Sequence, residues 1–151
     1  MQQLSATSSI AGADDPDLDI DTMRAMTVEW LALEGYRPQV DGDGDVVCTV
    51  ADIKIVIPFG GMEIGNGFYA AYAFFGRIDD VDPLVVTAGA IVQSRVKCAV
   101  IGEQFGFFTL GVEGFHRTLA DFHDNLPDTF ASIAAARAHM PVVIDELRRQ
   151  V

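Results

Sequence analysis

Val46–Phe59, VVCTVADIKIVIPF, decides the fold. Val46 to Val50 is β-branched and apolar, and Ala51-Asp52 interrupts it with a tight turn. From Asp52 to Phe59, Ile53, Ile55, Ile57 and Phe59 alternate with Lys54, Val56 and Pro58. A period of two places one set on a buried face of a strand. A link this short joins antiparallel strands, because a parallel return needs a crossover of a dozen residues or more. The stretch predicts a hairpin, and with it an antiparallel sheet.

Working outward, Tyr36 to Val40 reads as a short strand whose pairing Pro38 limits. Before it, a helix is predicted from about Thr22 to Glu34, capped by Asp21 and ended by Gly35 at the left-handed position. Met23, Met26, Trp30 and Leu33 form its apolar stripe. After the hairpin, Gly60 to Gly67 is a glycine-rich segment that reads as a flexible β connection, with a mobile gate beside a groove, Met62 and Ile64 exposed, as the alternative. Phe68 to Phe75 is an aromatic strand with apolar residues on both sides, as in a strand covered on both faces. Asp82-Pro83 starts a helix reaching about Ser94. Strands Val96–Ile101 and Phe105–Val112 follow, linked by Gly102-Glu103-Gln104.

The remainder reads as helical. Phe115, Leu119, Phe122 and Leu126 share one stripe, Pro127-Asp128 breaks the segment, and a last helix is kinked or restarted at Pro141. The expected fold is α+β, an antiparallel sheet of about five strands with helices on one side. Residues 1–19, small, polar and acidic, read as a flexible tail, and residues 20–151 as a single domain.

Charge narrows the function. The 151 residues carry a net charge of −12. Such a field repels phosphate backbones and anionic membrane surfaces, so neither nucleic acid nor membrane is an expected partner. No apolar run reaches the length of a membrane span, and no basic segment followed by an apolar core marks a signal peptide, so the expected location is cytoplasmic. Cys48 and Cys98 lie in apolar segments and read as buried thiols. Lys97, the neighbour of Cys98 on a strand, points to the opposite face and would activate it weakly.

The stretch Asp41–Asp45, DGDGD, matches the first three acids of a calcium loop. Val46 stands where that loop needs glycine, Asp52 where it needs glutamate, and the flanks are strands. The preferred reading is a hairpin turn, with weak divalent binding as the alternative. His116 and His123, if on one helix, are about 10 Å apart, too far to share a zinc ion. With His139 they read as surface or boundary histidines. No nucleophile elbow or phosphate loop occurs, so no catalytic residue, metal site or cofactor is expected.

The chain resembles the YbjN-domain family, related in fold to the type III secretion chaperones. The residues that carry this are Val28-Glu29-Trp30-Leu31 through Glu34-Gly35-Tyr36, the Asp52–Phe59 strand, Val96-Lys97-Cys98-Ala99-Val100, and the Phe115 and Phe122 segment ending at Leu126-Pro127. It differs in its Gly60–Gly67 segment and at Gln93-Ser94, where the family often has an asparagine. The resemblance implies protein binding without chemistry, in small acidic subunits that often form homodimers. The aromatic excess fits that role, since a large apolar patch on an acidic domain marks an interface. Trp30, Phe68, Tyr72, Phe107 and Phe108 are the candidate packing or partner-binding residues, for a second copy and for a client that could add a strand to a sheet edge. A small-ligand or metal sensor is the alternative function.

Overall fold

The computed structural model describes residues 18–60, 67–96 and 99–150. Within them lies one antiparallel sheet of six strands and three α-helices, an α+β fold. The elements are α1 (Ile20–Leu33), β1 (Gln39–Val40), β2 (Val46–Val50), β3 (Ile53–Ile57), β4 (Phe68–Arg77), α2 (Pro83–Arg95), β5 (Val100–Gln104), β6 (Phe107–Phe115) and α3 (Leu119–Arg148). A short 3₁₀ turn, Ile78–Asp80, joins β4 to the loop before α2. The strand order is β1-β2-β3-β4-β6-β5.

The β2–β3 hairpin forms as its sequence dictates. Ala51 and Asp52 both take positive φ, 49° and 62°, the turn whose twist matches the flanking strands. Ile53, Ile55, Ile57 and Phe59 are all buried, and Lys54 is exposed. Asp82 caps α2, accepting from the Leu84 amide at 2.8 Å, with Pro83 in the first turn. Cys48 is buried, and desolvation pushes its thiol up to about 11, so it behaves as a core residue. Lys97, Cys98, Met62, Ile64 and the tail through residue 17 lie outside the described residues.

All three helices cover one face. Tyr69 of β4 stacks on Phe122 of α3 at 4.6 Å. The Arg137 guanidinium of α3 lies over the Phe75 ring. A side chain at Gly89 in α2 would stand 2.7 Å from Phe108 and 2.8 Å from Ile101, so α2 sits close on β5 and β6. Tyr36, beyond α1, meets Phe130 of α3 edge to face.

Several sequence expectations shift. Asp19, not Asp21, caps α1, accepting from the Thr22 amide at 2.7 Å. The buried stripe of α1 is Met23, Thr27 and Leu31, while Met26 and Leu33 are exposed. Thr27 can be buried because its hydroxyl donates to the Met23 carbonyl at 2.9 Å. The strand expected over residues 36–40 is only Gln39–Val40. The β5–β6 turn is Phe105-Gly106, with φ of 54° and 76°, so Gly102–Gln104 belongs to β5, and Val96 ends α2.

Phe115 ends β6 and belongs to no helix. Pro127 does not break α3, which runs through both Pro127 and Pro141. Both prolines lie on the exposed side of the helix. A proline inside a helix costs about 3 kcal/mol or more. Seven large apolar side chains, Leu119 to Val143, are buried along one unbroken stripe and contribute on the order of 10 kcal/mol or more. Burial of the stripe outweighs the two breaks.

Candidate partner-binding face

The opposite face of the sheet carries no helix among the described residues. Its centre is a row of Cα partners running straight across the strands: Gln39, Val47, Val56, Tyr72, Gly111 and Val100. Alternation puts Phe68, Phe74, Phe107 and Phe115 on this side as well. They form two edge-to-face pairs, Phe68 with Phe115 at 5.3 Å and Phe74 with Phe107 at 5.5 Å, one on either side of the row. Phe115 is 79% exposed, and Phe105, at the adjoining turn, 60%.

Tyr72 anchors the middle. It is 1% exposed although no helix covers it. The reason is its cross-strand partner Gly111, where a Cβ would stand 2.3 Å from the Tyr72 ring, so only glycine lets the ring lie down on the sheet. The Tyr72 hydroxyl donates to Glu113 Oε1 at 2.5 Å. Burial, with the Glu113 carboxylate as acceptor, raises the phenol's pKa and keeps it protonated.

The sequence candidates divide between the faces. Phe68, Tyr72 and Phe107 point to the helix-free side. Phe108 is core under α2, and Trp30 stacks on His123 at 5.4 Å within the α1–α3 packing. Phe74, Phe105 and Phe115 join the face and were not singled out from sequence. Alternation from Phe68 would have supplied Phe74, but Phe115 was hidden by its helical spacing to Leu119 and Phe122.

Two open grooves score this face. One, of about 540 Å³, has Val56, Tyr72, Phe74 and Phe107 along it and Asp43 and Asp45 at one end. The other, of about 570 Å³, is lined by Arg37, Gln39, Thr49 and Lys54. Charged strand positions on this side are only Lys54, Arg77 and Glu113. Among the described residues Arg37, Lys54 and Arg77 have no carboxylate partner. The face is nearly neutral on a chain of net charge −12.

Asp41–Asp45 is a turn held by its own acids. Asp41 Oδ1 accepts from the amides of Asp43 and Asp45, each at 3.0 Å. Asp45 Oδ1 accepts from the amides of Phe59 and Gly60 at 2.8 and 2.7 Å. Arg24 of α1 donates to the Gly44 carbonyl at 2.6 Å. Two of the three carboxylates thus serve the backbone, which is turn chemistry. Among the described residues no group of three or more His, Cys, Asp or Glu is placed to hold a metal ion.

His116 and His123 do not share a helix: His116 precedes the Thr118 cap of α3. His123 is not a surface residue but 5% exposed. Its Nε2 lies 2.9 Å from the Thr27 hydroxyl oxygen, whose own hydrogen goes to Met23, so Nε2 carries the proton and donates. Burial lowers its pKa to about 4, against a weaker opposing pull from Asp124.

At the β5 edge, the Ile101 amide donates to Gln93 Oε1 at 3.0 Å. An outward N–H that an added strand would need is therefore occupied. Among the described residues no helix is long and apolar enough to cross a membrane. No family model and no curated protein matches the chain.

Proposed function

We propose that the chain is a non-enzymatic protein-binding module that works as a homodimer through the helix-free face of its sheet. The role is chaperone-like or regulatory, as its resemblance to the YbjN-domain family implies. The observation that carries this reading is the face itself: paired phenylalanines around Tyr72, with almost no net charge, on a strongly acidic chain. An exposed aromatic surface gains by burial against a partner. The occupied amide at Ile101 favours the face over the β5 edge as the binding surface. Light scattering on a size-exclusion column at micromolar concentration tests it. The expected mass is twice the chain's 16.3 kDa, and Phe115→Asp should return it to one chain mass with the fold unchanged. A wild-type chain that runs as a monomer would defeat the reading.

A further inference from the structure

Charge on the helix-free face is sorted along the strands. At the end where β2 begins and β3 ends lie Asp43, Asp45 and, two residues from the central row on β6, Glu113. At the other end lie Arg37, Lys54 and Arg77. The turns beyond are mixed, with Asp52, Asp79 and Asp80 past the cationic end and Arg117 past the acidic one. The phenylalanines are sorted the same way, with Phe68 and Phe115 towards the acidic end and Phe74 and Phe107 towards the cationic end.

We infer that a second copy of this chain docks on the face about a twofold axis that lies along the row Val47–Val56–Tyr72–Gly111–Val100. This rests on the homodimer reading above and specifies its register. A twofold axis in the plane between two facing sheets, perpendicular to the strands, exchanges the two ends of each strand. It sets Asp43 and Asp45 of one copy over Arg37 and Lys54 of the other, twice. It also brings each Phe68–Phe115 pair towards the other copy's Phe74–Phe107 pair. The central row, uncharged throughout, meets itself.

Charge selects the occupant. Two chains of net charge −12 repel wherever acidic surfaces approach. Among the described residues, three cations of this face have no carboxylate partner, and Asp43, exposed, has no ion-pair partner. The same chain supplies both halves of the pairing. Parallel stacking of the two faces, with like ends together, would set carboxylates against carboxylates and is disfavoured.

Single cysteines in a Cys98→Ser background test the register, Cys48 being buried in the core. Facing sheets stand about 10 Å apart, so a thiol cross-linker of about that span is used. Val100→Cys, on the axis, should cross-link to itself. Lys54→Cys should not, but should cross-link when mixed with Asp43→Cys. Separately, Lys54→Asp should raise the dimer dissociation constant about tenfold, and Lys54→Asp with Asp43→Lys should restore it. A dimer in which Lys54→Cys joins itself, or Val100→Cys does not, overturns the register while the homodimer reading stands. A monomeric wild-type chain overturns both.

Discussion

The two faces of the sheet are built from the same kinds of residue and differ in what lies against them. On the covered face Tyr69, Phe75 and Phe108 meet Phe122, Arg137 and Gly89 of the helices. On the other, Phe68 pairs with Phe115 and Phe74 with Phe107, with no helix against them among the described residues. β4 supplies residues to both sets by alternation, which is why Phe68–Phe75 has no charged residue. Apolar composition on both sides of a strand therefore does not show that both sides are covered by the same chain. The covered face holds the monomer together, and the helix-free face is the one proposed for association.

The sharpest way to break this contrast is truncation on the covered face. Phe122→Ala, which removes the ring under Tyr69, should cost about 3–5 kcal/mol in chemical denaturation. On the free face, Phe115→Ala should stay within about 0.5 kcal/mol when measured at concentrations where the chain is monomeric. A large loss at Phe115 would mean that the monomer itself buries this face.

Acid should weaken the covered face first. His123 is held neutral, with its pKa lowered to about 4 from 6.5. Between those values the unfolded chain binds a proton that the folded chain does not, so stability falls as pH drops through that window. The loss should begin near pH 6.5, end near pH 4 and total about 3 kcal/mol. His123→Gln should flatten that part of the curve of denaturation midpoint against pH. An unchanged curve would show that His123 does not set it.

A smaller effect sharpens the role of Tyr72. Gly111→Ala places a methyl where the ring lies and should cost about 1–3 kcal/mol while displacing Tyr72 from Glu113. Tyrosine fluorescence and the dimer mass should change together, since the ring stands on the proposed axis. Smaller again is Gln93→Leu, which removes the acceptor of the Ile101 amide. Hydrogen exchange at Ile101 should quicken, with about 1 kcal/mol or less of stability lost.

Much of the fold was legible because its signals are local. The β2–β3 hairpin announced itself by alternation around a two-residue turn, and α2 by the Asp82 cap before Pro83. The acidic turn declared itself because glycines between acids suit a turn, and Asp41 can accept the amides two and four positions along. Where local signals competed with burial they misled. The Gly-containing link at residues 102–104 looked like the hairpin, yet Phe105-Gly106 makes the turn, leaving Phe108 and Leu110 on the helix side. Met26 and Leu33 looked like the α1 stripe, yet Thr27 is inside because Met23 and His123 satisfy its hydroxyl. Of the candidate interface, Phe68, Tyr72 and Phe107 could be found as aromatics, but not told apart from Trp30 and Phe108.

The sequence by itself determined the elements, their caps, the antiparallel pairing and the strong negative charge, because each depends on residues close along the chain or on composition. Only the tertiary structure decided that α3 runs through Pro127, that Gly111 makes room for Tyr72, and which side of the sheet the helices leave bare. Those outcomes depend on residues far apart in sequence. The burial of α3's stripe against the sheet outweighs the proline penalty, and the three helices lie on one side, leaving the other face without a helix among the described residues.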